Sequence, residues 1–250
     1  MRIHIVATAE SQPHQSLTTL VVDETVALDA GCLVQLPLAA QRRIEHVVLT
    51  HAHMDHIASL PMFLDNVYEF GPRCPSVYAS RETLNAMSQH LFNDALWPNV
   101  MALGAAESPF VRFVELPAES PVAIGELSVT AVPLSHPIPT YGLVLERDGR
   151  RAALLTDTGP THRIWEVLSS KPPHLLLIDV SFPNRLSGLA ERSGHLSPKL
   201  LCCELQKLPH VVPTLAIHIK PPFYDEVVRE IEQLNLPHVT AARLGETYQV

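Results

Sequence analysis

The sequence has little of what marks several common protein classes. Aromatic residues make up only 6% of its 250 positions. Its four cysteines, Cys32, Cys74, Cys202 and Cys203, show no CxxC spacing and two of them are adjacent, which suits neither a zinc ribbon nor a disulfide framework and is compatible with a reducing compartment. No window of about 18 consecutive apolar residues occurs, so no membrane-spanning helix is expected. Lys and Arg total 18 against 26 Asp and Glu, a net charge of -8, and there is no long basic stripe. Binding to a nucleic-acid polymer draws on such a stripe to displace counterions, so that partner is not expected. The strict strand–helix rhythm and glycine fingerprint of a nucleotide-binding doubly wound sheet are missing, as are internal repeats and low-complexity tracts. The opening residues MRIHIVATAE run into the polar stretch SQPHQS rather than a signal-peptide core, so a soluble, unexported, cytoplasmic protein is expected.

What is present is 46% apolar residues over a length that can bury one sizeable core, and a single domain over residues 1–250 is expected. RIHIVAT alternates as a strand, TTLVVDETVALDAG reads as two strands about the polar turn Asp23–Glu24, and HVVLT is a short buried strand that feeds a His-rich loop. A helix is expected through Ile57, Leu60, Leu64 and Val67 or Tyr68, stopped by Gly71–Pro72, and a second over RETLNAMSQHLFNDALW. VRFVEL, LSVTAVPL, YGLVLE and RAALLT make a strand-rich middle, with Asp148–Gly149 as a hairpin turn. THRIWEVLSS, SPKLLCCELQKL and DEVVREIEQL read as helices around the strands HLLLIDVSF and TLAIHI, with Ser197 as an N-cap before Pro198.

The 14 histidines stand out in an acidic chain, since histidine is a frequent metal ligand. At the end of HVVLT, the run THAHMDHIASLP sets His51, His53, Asp55 and His56 within one turn. His51 and His53 point the same way if they leave an extended segment. A lone histidine here is more often structural and Asp55 alone is more often a helix cap, but the whole HxHxDH cluster favours metal ligation. Further ligands are sought at strand exits, where the backbone aims them without strain, and His136, Asp157 and His218 each follow an apolar run. Taken singly, His136 is a ligand or a loop residue, Asp157 a ligand or an Asx turn, and His218 a ligand or a part-buried strand histidine.

In that order these residues are the mark of the metallo-β-lactamase superfamily, which the sequence resembles. THAHMDHIASLP, LFNDALWPNV, TDTGP with IWEVL, IDVSFPN, SGHLSPKLL and HIKP together are similar to the class II 3',5'-cyclic-nucleotide phosphodiesterases, a branch of it. The sequence departs from the pattern at Met54, where leucine is usual, at Ser59, where glycine is common, and in SHP at residues 135–137. The resemblance implies an α+β fold, a four-layer αββα sandwich with metals at one edge of its two sheets. It gives His51, His53 and His136 to one metal, Asp55, His56 and His218 to a second, and Asp157 as the bridge. Imidazoles and carboxylates without thiolate suit zinc, with manganese or iron as substitutes.

The implied activity is hydrolysis of cyclic AMP and/or cyclic GMP to 5'-monophosphates through a metal-bridging hydroxide, with Asp55, Asp157 and His195 as the candidates for a direct part in catalysis. His195, just before a helix, is read as a proton donor to the leaving oxygen or as a structural residue. Thr158 and Ser181 are read as supporting hydroxyls, Phe92 and Trp97 as core before purine platform, Lys220 as a phosphate or carboxylate partner or an exposed lysine, and Cys202 and Cys203 as packing residues, one turned to the core. The alternatives are another hydrolase of the same fold (a tRNA 3'-end endonuclease, a thioesterase or a lactonase) or a non-catalytic sensor of metal or cyclic nucleotide. A homodimer is compatible with the resemblance.

Overall fold

Short β-branched and aliphatic runs bounded by turn formers become strands, as their patterning dictates. The computed structural model describes residues 1–8, 15–69, 73–104 and 108–250, and these group into two compact units.

The first unit carries Leu17–Pro117 together with the first strand and Gly245–Gln249. Its strands are β1 (Arg2–Ile5), β2 (Leu20–Val22), β3 (Val26–Leu28), β4 (His46–Val48), β5 (Ser76–Ala79) and β6 (Arg112–Glu115), and its helices α1 (Leu38–Gln41), α2 (Met54–Ile57), α3 (Leu60–Val67), α4 (Arg81–His90) and α5 (Val100–Leu103). Asp23 and Glu24, both left-handed at φ 46° and 68°, turn β2 back onto β3. From β3 to β6 the strands run parallel. Leu60, Phe63 and Leu64 of α3 and Met87 of α4 close a core with Val47 and Val77 from the sheet.

Two helices differ from expectation. The one expected through Ile57 and Leu64 is broken at Ala58–Ser59 into α2 and α3, because Pro61 has no N–H to give and is tolerated only in the first turn of a new helix. Its expected stop, Gly71–Pro72, lies outside the described residues. The helix expected over residues 81–97 ends at His90. There the side-chain oxygen of Asn93 accepts the backbone N–H of Ala95 and of Leu96, and Asp94 turns left-handed at φ 63°. This local side-chain bonding competes with helix, and it leaves Leu96 72% exposed rather than on an apolar face. Phe92 is buried and Trp97 packs on the same core, in line with their core reading.

The second unit carries Ala118–Leu244. It contains β7 (Pro121–Ile124), β8 (Leu127–Pro133), β9 (Tyr141–Arg147), β10 (Arg150–Leu155), β11 (Leu175–Asp179), β12 (Thr214–Ile217) and β13 (Val239–Ala241), with α6 (Arg163–Ser170), α7 (Ser187–Ser193), α8 (Pro198–Leu205) and α9 (Tyr224–Gln233). Its seven strands lie in the order β13-β12-β11-β10-β9-β8-β7. Asp148 and Gly149 both have positive φ, as the tight turn between β9 and β10 requires. β8 and β10 flank β9 antiparallel, and β11 and β12 run parallel to β10. The carboxyl ends of β8, β10, β11 and β12 therefore share one edge of the sheet. The last strand, β14 (Thr247–Gln249), pairs with β1 and completes the seven-stranded sheet of the first unit.

Helix α8 starts as expected, with the Ser197 hydroxyl accepting the Leu200 N–H and Pro198 in the first turn. Its cysteines do not point to the core: Cys202 is half-buried and Cys203 exposed. At 3.6 residues per turn the inward face falls on Pro198, Leu201 and Glu204. The carboxylate of Glu204 is buried there, accepting from the Trp165 indole N–H at 2.6 Å and the Thr161 backbone N–H at 3.1 Å, and pairing with Lys207 at 2.6 Å. It ties α8 to α6 and to the loop that follows β10. No helix among the described residues is long and apolar enough to cross a membrane.

Candidate metal centre

In the first unit the chain leaves β3 at Asp29 and β4 at Thr50–His51. Asp29 is fully buried and left-handed at φ 58°, a conformation that costs a non-glycine residue and is kept where the surroundings fix it. Its carboxylate accepts from the Thr50 backbone N–H at 2.8 Å, from the Thr50 hydroxyl at 2.9 Å and from His56 Nδ1 at 2.7 Å. With its proton spent on Asp29, the Thr50 oxygen accepts from His51 Nδ1 at 3.0 Å. Both imidazoles thus carry hydrogen on Nδ1 and the lone pair on Nε2. That is the tautomer in which a metal-ligating histidine is held by a partner behind it.

His53 caps α2 by its backbone, and its ring lies 4.7 Å from that of His51, centroid to centroid. Asp55 follows in the first turn and is not the N-cap; its carboxylate is 3.9 Å from His56 Nε2. The His-rich turn reaches this position because Gly31 has no side chain. A Cβ there would meet the Asp55 carbonyl oxygen at 2.0 Å. Ser59 fits its position by donating its hydroxyl to the Ala30 carbonyl at 2.7 Å.

In the second unit His136, Asp157 and His218 follow β8, β10 and β12, on the edge where those carboxyl ends gather. His136 donates Nδ1–H to the Gly194 carbonyl at 2.9 Å, and its Nε2 stands 3.9 Å from Asp157 Oδ2. The Ser181 hydroxyl donates to the His218 carbonyl and accepts from His218 Nδ1, both at 3.0 Å, and His218 Nε2 is 3.5 Å from Asp157 Oδ1. Asp157 is buried, and both it and His218 are left-handed, at φ 47° and 61°. The Thr158 hydroxyl is used locally, on the Gly159 carbonyl.

His195 lies between these groups. Its ring is stacked on that of His218 at 5.6 Å and edge-on to that of His136 at 5.3 Å. Nδ1 is 2.5 Å from Asp179 Oδ2, and Asp179 Oδ1 accepts the Ser181 backbone N–H. Burial pushes the His195 pKa down, but the charge and hydrogen bond of Asp179, with Asp157 beyond, outweigh it, and the net shift is upward despite opposition from Lys220. Asp157, Asp179, His195 and His218 offer donor atoms that all lie within 4.8 Å of one another. Of these four, Asp157 and His218 are expected ligands of a type that suits a divalent cation, while Asp179 is engaged by His195 and by the Ser181 N–H.

Asp29, Thr50 and Asp179 escaped the sequence reading, although Asp29 and Asp179 carry the signal used for the others, a polar residue at the exit of an apolar strand. Gly194 carries no such signal in the sequence. It is left-handed at φ 71°, and a Cβ on it would meet Pro137 Cδ at 2.6 Å and His136 Nδ1 at 2.7 Å.

Comparison with known proteins adds a family to this geometry. A sequence profile described as the beta-lactamase superfamily domain matches residues 24–219. A probable 3',5'-cyclic-nucleotide phosphodiesterase of Yersinia pestis is 27% identical over 73% of this chain and 59% of its own length. A 3',5'-cyclic-nucleotide phosphodiesterase of Aliivibrio fischeri is 30% identical over 66% of this chain and 54% of its own length. The chain thus spans between half and two-thirds of the length of these curated relatives. The crystal structure of unliganded yeast PDE1 superposes on 100% of the chain and 99% of its own, with a TM-score of 0.80 at 17% identity, and so shares the fold. The α+β fold expected from the resemblance is therefore the one observed.

Proposed function

The chain belongs to the beta-lactamase superfamily, and from that premise we propose that it is a metal-dependent phosphodiesterase opening 3',5'-cyclic nucleotides, cyclic AMP and/or cyclic GMP, to 5'-monophosphates. The profile match spans residues 24–219 and takes in residues of both compact units, which supports the reading of a single hydrolase domain. The proposed ligand set is the one expected from the sequence: His51, His53 and His136 for one ion, Asp55, His56 and His218 for another, and Asp157 between the two. Zinc is the preferred ion, with manganese or iron as substitutes. One observation carries the reading above the rest: His51, His56, His136 and His218 each have Nδ1 held by a neighbouring oxygen, so that Nε2 is the presented atom.

When bound, divalent ions supply Lewis acidity towards the phosphoryl oxygens and a nucleophile from water at neutral pH. The remaining work falls to the chain's own groups. Asp29 and Ser181 fix the ligating rings. His195, held by Asp179 at Nδ1, presents Nε2 and gives a proton to the 3' oxygen as it leaves. The Asp179 carboxylate at Nδ1 favours the protonated ring. A small-molecule substrate, a cytoplasmic setting with the four cysteines reduced, and a possible homodimer complete the proposal.

The test is hydrolysis of cyclic AMP and cyclic GMP by the metal-replete protein, with bis(p-nitrophenyl) phosphate as a generic diester and the chelated protein alongside. Opening to 5'-monophosphates that chelation abolishes supports the reading. Cleavage of the generic diester alone would redirect the substrate to other phosphodiesters, including tRNA 3' ends; cleavage of thioesters or lactones instead would move the protein to another hydrolase class, and no turnover with tight cyclic-nucleotide binding would make it a sensor.

A further inference from the structure

We propose that the cavity at the amino-terminal ends of β4, β5 and β6 binds a small phosphate-bearing anion. The cavity measures about 540 Å³, within the range of small-molecule sites. His46, Ser76 and Arg112 open those three strands and stand side by side in register, His46 opposite Ser76 and Ser76 opposite Arg112. Arg42 and Arg73 complete the basic side of its wall.

Two features point to a ligand. Arg2, Arg43 and Arg81 of the same unit are each paired with a carboxylate, whereas Arg42 and Arg73 make no ion pair among the described residues. Glu45 and Glu69 line the same cavity, but neither is ion-paired with them among the described residues. Two guanidiniums outside any ion pair among the described residues, with Arg112 in the same wall, present the planar donor forks that match phosphate oxygens. The second feature is His46. It lines the cavity at the register position opposite Ser76, and burial lowers its pKa. The two glutamates in the wall disfavour an extended polyanion and leave a compact phosphoryl group as the matching ligand.

The site is distinct from the candidate metal centre. β4 has His46 at its first residue, while the His51–His56 cluster follows its last, a separation of about 16 Å at the rise of a strand.

The experiment is isothermal titration of the intact, metal-loaded protein with inorganic phosphate, pyrophosphate and 5'-AMP, repeated with R42A/R73A and with D157A. Both arginines are exposed, and circular dichroism checks that their variant folds. R42A/R73A is expected to weaken binding of at least one probe by about tenfold or more, since a charge-assisted hydrogen bond is lost at each position, while D157A leaves that binding in place. Binding by phosphate or pyrophosphate assigns the site to the phosphoryl group itself, and binding by 5'-AMP alone to a nucleotide. Unchanged affinity in R42A/R73A, loss of all binding in D157A, or no binding of any probe would each overturn the proposal.

Discussion

His56 Nδ1 lies 2.7 Å from Asp29 Oδ2, with both side chains fully withdrawn from solvent. The carboxylate that orients this imidazole comes from a strand exit 27 positions earlier in the chain. It also holds the Thr50 hydroxyl that holds His51, so one buried group governs two proposed ligands.

Replacing Asp29 by Ala removes that control. Metal affinity is expected to fall by about 10- to 100-fold, the usual effect of losing a group behind a ligating histidine. Competition with a chromophoric chelator measures it, and Asp29→Asn, which keeps one acceptor oxygen, is expected to lose less. Wild-type affinity in the Ala variant would remove Asp29 from the centre.

Asp179→Asn separates the orientation of His195 from its charge. It is expected to keep the metal content and KM while lowering kcat on the cleaved diester by about 10- to 100-fold, a fraction of what a general acid contributes. His195→Ala is expected to lower kcat by about 10²–10⁴-fold. Equal kcat in wild type and His195→Ala would leave His195 a structural residue.

Gly194→Ala forces a methyl group into a left-handed position against Pro137 and His136. A loss of about 1–3 kcal/mol is expected from the overpacking and backbone strain together. Thermal unfolding gives the loss, and metal titration tells whether displacement of His136 accompanies it.

Glu204→Ala leaves the Trp165 indole N–H and the Thr161 N–H buried without their acceptor, and a destabilisation of about 3 kcal/mol is expected on the scale of broken buried networks. Denaturant unfolding reads it directly. Glu204→Gln retains an acceptor and is expected to lose less, and a neutral Ala variant would contradict the role of this tether between α6 and α8.

Chelation with excess EDTA is expected to abolish diester hydrolysis and to lower the melting temperature, because an ion bound only by the folded chain stabilises it by mass action. Re-addition of zinc or manganese is expected to restore both. Activity that survives exhaustive chelation would refute a metal-dependent mechanism.

The strands were legible in the sequence wherever an apolar run ended in turn chemistry: Asp23–Glu24, Asp148–Gly149 and the exits carrying His136, Asp157 and His218 all fall where the pattern placed them. The helix ends were less so. Residues 81–97 have an apolar rhythm that continues past His90, and only the Asn93 side chain, bonding to the backbone ahead of it, stops the helix. β7, α7 and β13 are short or weakly patterned, and they exist because neighbouring elements pair with them or cover them.

By itself the sequence determined the chemistry available: which imidazoles and carboxylates stand at strand exits, in what order, and without thiolates, because period and residue type are local properties. The tertiary structure decided what those groups can do. The tautomer of His51 and His56, the hold of Gly194 on His136, and the upward shift of His195 beside Asp179 depend on atoms far apart in sequence. A hydrogen bond or a buried charge acts through space within one folded unit, and no local pattern specifies which distant oxygen will lie behind a given ring.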